Sequence, residues 1–318
     1  MQKFYLSKSS SRVINTLKSL KERGFIEEIQ NLSAQEARIE FSKIRARFAY
    51  KKKIDVLIKK DFKVENIPVR YYRGKNKSKN EILPIMIYFH GGGWVLGNAD
   101  THDQVCSILV NEGNYDLIAV EYSLAPEAIF PKAINEGKKI LKNISNNKYG
   151  LKINNNKIIL CGDSAGGNIA AVLANYNKNN LKANVIFQVL VYPATHMFSK
   201  YESKNKYDGL ILNKKLMKWF ENHYCPKNIR KKYINDPRLS PIKNKKMKGI
   251  PDTLIVLAEC DPLYDEGLLY GQKLKENNIK VEIKVYKGLM HGFLTMGGII
   301  KEVSSVIYFI NKKIDTYL

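Results

Sequence analysis

Cysteine is scarce in this 318-residue chain, and the four that occur, Cys106, Cys161, Cys225 and Cys260, stand far apart. No CxxC pair and no metal-ligand spacing is found among them. That argues against a zinc site or a disulfide framework and favours a reducing, cytoplasmic setting. Long apolar runs are missing too. No stretch of about 18 uninterrupted apolar residues exists, so a membrane span is not expected. Residues 1–20 lack the apolar centre of a secretion signal. Acidic residues are in deficit: 53 Lys and Arg against 30 Asp and Glu leave a formal net charge of +23. A balance of that size raises nucleic acid or an anionic membrane as partner. The lysines, however, are spread along the whole chain among asparagines and isoleucines, with no arginine-rich stripe, no interleaved aromatics and no nucleic-acid motif. The excess therefore reads as solvated surface, and no nucleic-acid partner is expected.

What is present describes a globular enzyme-sized chain. Hydrophobic residues make up 44% and charged residues 26%, enough to build one large α/β domain rather than a disordered polymer. The first fifty residues predict amphipathic helices, with Val13, Leu17 and Leu20 on one face and Phe41, Ile44 and Phe48 on another. Ser33 followed by Glu36 fits a capping box. An extended pair follows at Phe62–Val64 and Val69–Tyr72, and the polar segment Arg73–Glu81 reads as a hairpin loop. Thereafter apolar strands (Ile85–Phe89, Leu117–Glu121, Lys157–Cys161, Val185–Val191, Thr253–Ala258, Val281–Tyr286) alternate with helical stretches. That pattern implies a mostly parallel sheet covered on both faces. Only Thr195–Gly249 breaks it, a long polar and helical insertion with the size of a lid.

Four segments at predicted strand ends carry chemistry. Gly162-Asp163-Ser164-Ala165-Gly166 matches G-x-S-x-G where a strand meets a helix, the setting in which a sharp turn lifts a serine hydroxyl above the sheet. A merely structural or phosphate-cradling turn is the rival reading of this motif. His90-Gly91-Gly92-Gly93-Trp94 follows another strand, and its glycines let backbone amides turn into a cavity, where they can stabilise an oxyanion. A serine needs a base and the base an orienting carboxylate. Of five histidines (His90, His102, His196, His223, His291), only His291 follows both the serine and a strand-end acid. Asp261, just beyond a strand and fixed by Pro262, is the first choice of acid, and Asp265 the second. His90 reads as a brace for its loop, and His196 and His223 fall in the insertion.

Together these segments resemble the hormone-sensitive lipase family of α/β-hydrolase carboxylesterases, in its GDSAG subgroup. The resemblance rests on His90–Trp94, on Gly162–Asn168, on Asp-Pro-Leu-x-Asp-Glu-Gly at 261–267 and on His-Gly-Phe at 291–293. Leu124–Glu127, Tyr192-Pro193 and Ser240–Ile242 add to it. It implies an α/β-hydrolase fold with a catalytic triad of Ser164, Asp261 and His291. It implies an oxyanion hole from the amides of Gly92, Ala165 and either Gly91 or Gly93. It further implies a helical cap built from residues 1–50 and 195–249 over a core of 51–194 and 250–318. Trp94 and residues of the insertion are expected to line the acyl pocket. The activity implied is hydrolysis of short-chain acyl esters (acetyl to about butyryl or hexanoyl), as in an acetyl esterase, with neither cofactor nor metal. The expected partner is a small-molecule ester, and a homodimer is left open. One departure stands out: Glu121-Tyr122-Ser123-Leu124 replaces the usual Asp-Tyr-Arg-Leu and loses an arginine. The competing readings are an amidohydrolase of arylformamidase or acyl-peptide hydrolase type, a non-catalytic receptor on the same scaffold, and a basic binding protein.

Overall fold

A computed structural model describes residues 5–181 and 183–318. The chain opens with helices α1 (Lys8–Glu22) and α2 (Ala34–Phe48). Ser33 caps α2: its hydroxyl accepts from the Glu36 amide while the Glu36 carboxylate accepts from the Ser33 amide. Two otherwise unpaired donors are thereby satisfied. Strands β1 (Ile58–Val64) and β2 (Ile67–Arg73) pair as a hairpin, turned at Glu65 and Asn66, both with positive φ.

Strand and helix then alternate: β3 (Leu83–Phe89), α3 (Ala99–Glu112), β4 (Asp116–Val120), α4 (Lys132–Ser145), β5 (Ile153–Asp163), α5 (Ala165–Asn180) and β6 (Val185–Val191). The insertion between β6 and β7 (Asp252–Cys260) holds α6 (Glu202–Lys206), α7 (Lys214–Tyr224) and α8 (Lys227–Tyr233), and no strand among its residues. α9 (Tyr264–Glu276), β8 (Val281–Met290) and α10 (Glu302–Asp315) complete the chain. The eight strands form one sheet in the order β1, β2, β4, β3, β5, β6, β7, β8. β3 to β8 run parallel, while β2 is antiparallel to both of its neighbours.

Side chains on a strand alternate between faces, and here both faces are buried. Ile85, Ile87 and Phe89 of β3 join one apolar core with Ile140 of α4, Ile169 of α5 and Leu274 of α9. Met86 and Tyr88 of the same strand join the other core with Val105 of α3 and Val306 of α10. β3, β4 and the second half of β5 therefore read as nearly continuous apolar runs. Among the described residues no helix is long and apolar enough to cross a membrane.

The segment after Arg73 is not the hairpin loop the sequence predicts. β2 pairs with β4, and β3 lies on the far side of β4, so residues 74–82 cross the end of the sheet. A buried charge holds that crossing in place. Arg73 is 1% exposed, and its guanidinium donates to Asp116 Oδ2 (2.5 Å) and to the carbonyls of Ser78, Lys79 and Lys152 (2.9, 2.8 and 2.9 Å). Tyr71 donates a further bond to Asp116 Oδ2 at 2.6 Å.

Candidate active site

Register brings the distant motifs together. Phe89 pairs with Gly162 across β3 and β5, so the glycine loop and the serine turn leave the sheet side by side. Cys260 pairs with Met290 across β7 and β8, so the next residues, Asp261 and His291, emerge as neighbours. Ser164 sits between the end of β5 and the start of α5 with φ +56°, a region costly for any residue but glycine. The turn closes tightly because it is flanked by glycines. A Cβ on Gly162 would lie 2.4 Å from the Gly166 carbonyl, and one on Gly166 would lie 1.9 Å from the Phe89 oxygen.

Ser164 Oγ lies 2.9 Å from His291 Nε2, and His291 Nδ1 lies 2.7 Å from Asp261 Oδ2. With the proton on Nδ1, the imidazole donates to the carboxylate and accepts from the hydroxyl. Asp261 Oδ1 accepts the Leu263 amide at 2.8 Å, which fixes the carboxylate plane. The Tyr192 ring lies 4.8 Å from the imidazole and limits its swing. Asp265, the second choice of acid, instead accepts the Ser203 amide at 2.8 Å and takes no part in the His291 bonds.

The glycine loop corrects one expectation. The Gly91 amide donates to Asp163 Oδ1 at 2.8 Å, so this donor is spent and Gly91 is not available to an oxyanion. Gly92 and Gly93, with φ of +125° and +62°, donate to no acceptor among the described residues. Ala165 starts α5, where an amide has no partner within the helix. The carboxylate that takes the Gly91 amide is itself buried. Burial alone would push Asp163 up, but His102 and the Tyr88 hydroxyl, which donates at 2.8 Å, outweigh it and hold the group at about 2. Asp163 is thus a charged strut between the serine turn and the glycine loop.

His90 braces the loop from below. Its Nδ1 lies 2.9 Å from the Gly91 carbonyl and its ring stacks on Tyr122 at 4.3 Å. Burial, reinforced by the positive field of His102, drives its pKa down to about 3. The folded protein therefore keeps His90 neutral where the unfolded chain, with an ordinary pKa near about 6.5, takes up a proton. Stability is lost as pH falls through that range, by about 1.4 kcal/mol per pH unit for one such group. Between pH 6 and 4, urea unfolding of the parent is expected to show that much more slope than His90→Asn. Equal slopes would assign the acid sensitivity elsewhere.

Several contributors lie outside any motif. Arg38 of α2 donates to the carbonyls of Val95 and Ala125 (2.9 and 2.8 Å) and forks onto Glu127, tying the N-terminal helix to the glycine loop. Arg45 donates to the Gly292 carbonyl beside His291 at 3.1 Å. Where the resemblance expects an arginine, Ser123 closes the loop by donating its amide and hydroxyl to Glu136, each at 2.7 Å. Trp94 is 4% exposed and stacks flat on Tyr224 at 4.5 Å while lining the cavity above Ser164. That cavity, about 440 Å³, is walled by α1, α2, α6, α7 and the loops at the strand ends. His196 lines it, whereas His223 packs against Trp219.

Fold and site define a hydrolase class, and comparison with known proteins agrees. The family model described as alpha/beta hydrolase fold matches residues 86–295. Ethyl acetate hydrolase of Pseudomonas putida is 31% identical over 255 residues, 79% of this chain and 79% of that protein. Carboxylesterase NlhH of Mycobacterium tuberculosis is 33% identical over 230 residues, 72% of each. Among solved structures, an esterase of Pyrobaculum calidifontis superposes with a TM-score of 0.87 at 32% identity, covering 98% of both chains. The chain belongs to the hormone-sensitive lipase-like family of α/β-hydrolases. It is a carboxylic ester hydrolase.

Proposed function

We propose that the chain is a serine carboxylesterase acting on short acyl esters, acetyl to about butyryl or hexanoyl, through an acyl-enzyme intermediate. The observation that carries this reading is the unbroken line from Ser164 through His291 to Asp261, at 2.9 and 2.7 Å. His291 Nε2 takes the hydroxyl proton as Ser164 Oγ attacks the ester carbonyl, and Asp261 stabilises the imidazolium. The amides of Gly92, Gly93 and Ala165 receive the oxyanion, each such donor being worth about 10²–10³ in rate. His291 then gives its proton to the leaving alcohol. In the second half it activates the water that frees the acid.

Residues 1–50 and 195–249 act as the cap and the remainder as the core, with Trp94 on the acyl side. The motif at 162–166 supports placing the chain in the GDSAG subgroup. The name of the Pseudomonas putida relative, an ethyl acetate hydrolase, supports a short acyl group. Hydrolysis of p-nitrophenyl acetate, butyrate and octanoate tests the substrate range. The value of kcat/KM is expected to fall about tenfold or more from butyrate to octanoate, the scale set by a few misplaced methylenes. An octanoate rate equal to or above that on butyrate would remove the short-chain assignment.

A further inference from the structure

Most of the cavity wall above Ser164 is apolar, through Ile14, Leu17, Phe41, Leu212, Leu216 and Phe220. One part is not. Lys204 of α6, Glu221 of α7, Glu266 of α9 and His196 also line it, with Lys204 and Glu266 both within electrostatic reach of Glu221. Lys204 is 9% exposed and Glu266 1%, and Lys204 Nζ lies 3.0 Å from Glu266 Oε2. Glu266 Oε1 accepts the amides of Thr195 (2.8 Å) and His196 (3.1 Å). The preceding residue, Ala194, donates its amide to the Ser164 carbonyl at 3.1 Å. The cluster is therefore built onto the loop that seats the serine.

A buried polar cluster is costly unless its groups are paired. An ion pair between Lys204 and Glu266 would suffice to tie α6 to α9. Glu221 goes beyond that need. Burial raises its carboxyl pKa against the pull of Lys204, Arg230 and the Phe198 amide. An ammonium carries three N–H donors, and Glu266 Oε2 engages one of them. The wall thus sets two further ammonium donors beside a second carboxyl, while Glu266 already answers the ammonium charge.

Resting on the carboxylesterase reading above, we propose that Lys204 and Glu221 form a subsite that selects esters carrying a hydroxyl group on the acyl or alcohol part. A hydroxyl accepts from Lys204 and donates to Glu221 at once. A carboxylate meets an ammonium that Glu266 already neutralises and a second acid beside it. A methyl group in that place shields the remaining Lys204 donors and the Glu221 carboxyl from water and offers them no partner.

Isosteric pairs test this: 2-hydroxyethyl butyrate against propyl butyrate for the alcohol part, and methyl 4-hydroxybutyrate against methyl pentanoate for the acyl part. The hydroxyl member of one pair is expected to show a kcat/KM about tenfold or more above its partner, and the pair that does so identifies the part recognised. Glu221→Leu is expected to bring that ratio near one, and Glu221→Gln, which keeps an acceptor, to retain much of it. Ratios near one in both pairs for the parent protein overturn the proposal. So does monomethyl succinate outperforming methyl pentanoate. Absence of turnover on propyl butyrate and methyl pentanoate as well would instead sink the esterase reading on which the subsite rests.

Discussion

Alanine at position 164 is expected to lower kcat on p-nitrophenyl butyrate by about 10⁶-fold, the scale seen when a serine nucleophile is removed from a working triad. The loss is that large because the three residues act as one unit. Without Oγ, His291 has no alcohol to deprotonate, and water must attack with only the oxyanion donors to help, which leaves about 10³–10⁴ over the uncatalysed rate. Folding should be little affected. The Ser164 amide donates to the Val191 carbonyl at 2.9 Å and its carbonyl accepts from Ala194, bonds that alanine keeps. The Cβ strain of φ +56° is already present in the parent. The check is kcat together with the thermal midpoint of the same sample. A variant that holds its midpoint and retains more than about 1% of parental kcat would mean that another group attacks the ester.

The largest stability effect is expected far from that site, at Asp116. Asp116→Asn leaves the Arg73 guanidinium, 1% exposed, without its counter-charge, while the carbonyls of Ser78, Lys79 and Lys152 still hold it inside. Removing one partner of such a pair costs about 3–5 kcal/mol. At this chain length that corresponds to a thermal midpoint lower by roughly 4–8 °C. Denaturant titration and calorimetry should agree, with the strand crossing at 74–82 losing its hydrogen-exchange protection first. A midpoint within about 2 °C of the parent would show that the guanidinium finds water or another acceptor.

The two cases mark what the sequence reveals and what it withholds. Strands buried on both faces stand out as apolar runs, so β3 to β7 were legible within a few residues, and the alternating Val281, Ile283 and Val285 marked the edge strand β8. The approach of Ser164, Asp261 and His291 was legible as well, because parallel strands put their following loops on one edge of the sheet. Arg73 was not. A single arginine after a polar-flanked strand looks like the start of a surface loop, and its partner Asp116 lies in another strand with no local signal. The reassignment of Gly91 was equally hidden, since which amide of a glycine run is free depends on where Asp163 points. Arg38 and Lys204 went unnoticed for the same reason. Their partners lie far away in sequence, and each sits in a helix whose charged residues look like ordinary solvated surface.

Beyond the strand-end loops, the cavity draws its walls from α1, α2, α6 and α7, while Ser164, Asp261 and His291 hang from β5, β7 and β8. Much of the binding surface is thus inherited through stretches of the gene separate from those that encode the reacting groups. A population of variants can trade one ester for another by drifting in residues 8–48 and 202–224, without a single substitution in the strands that hold the reacting groups. Such a chain can change its diet while keeping its teeth.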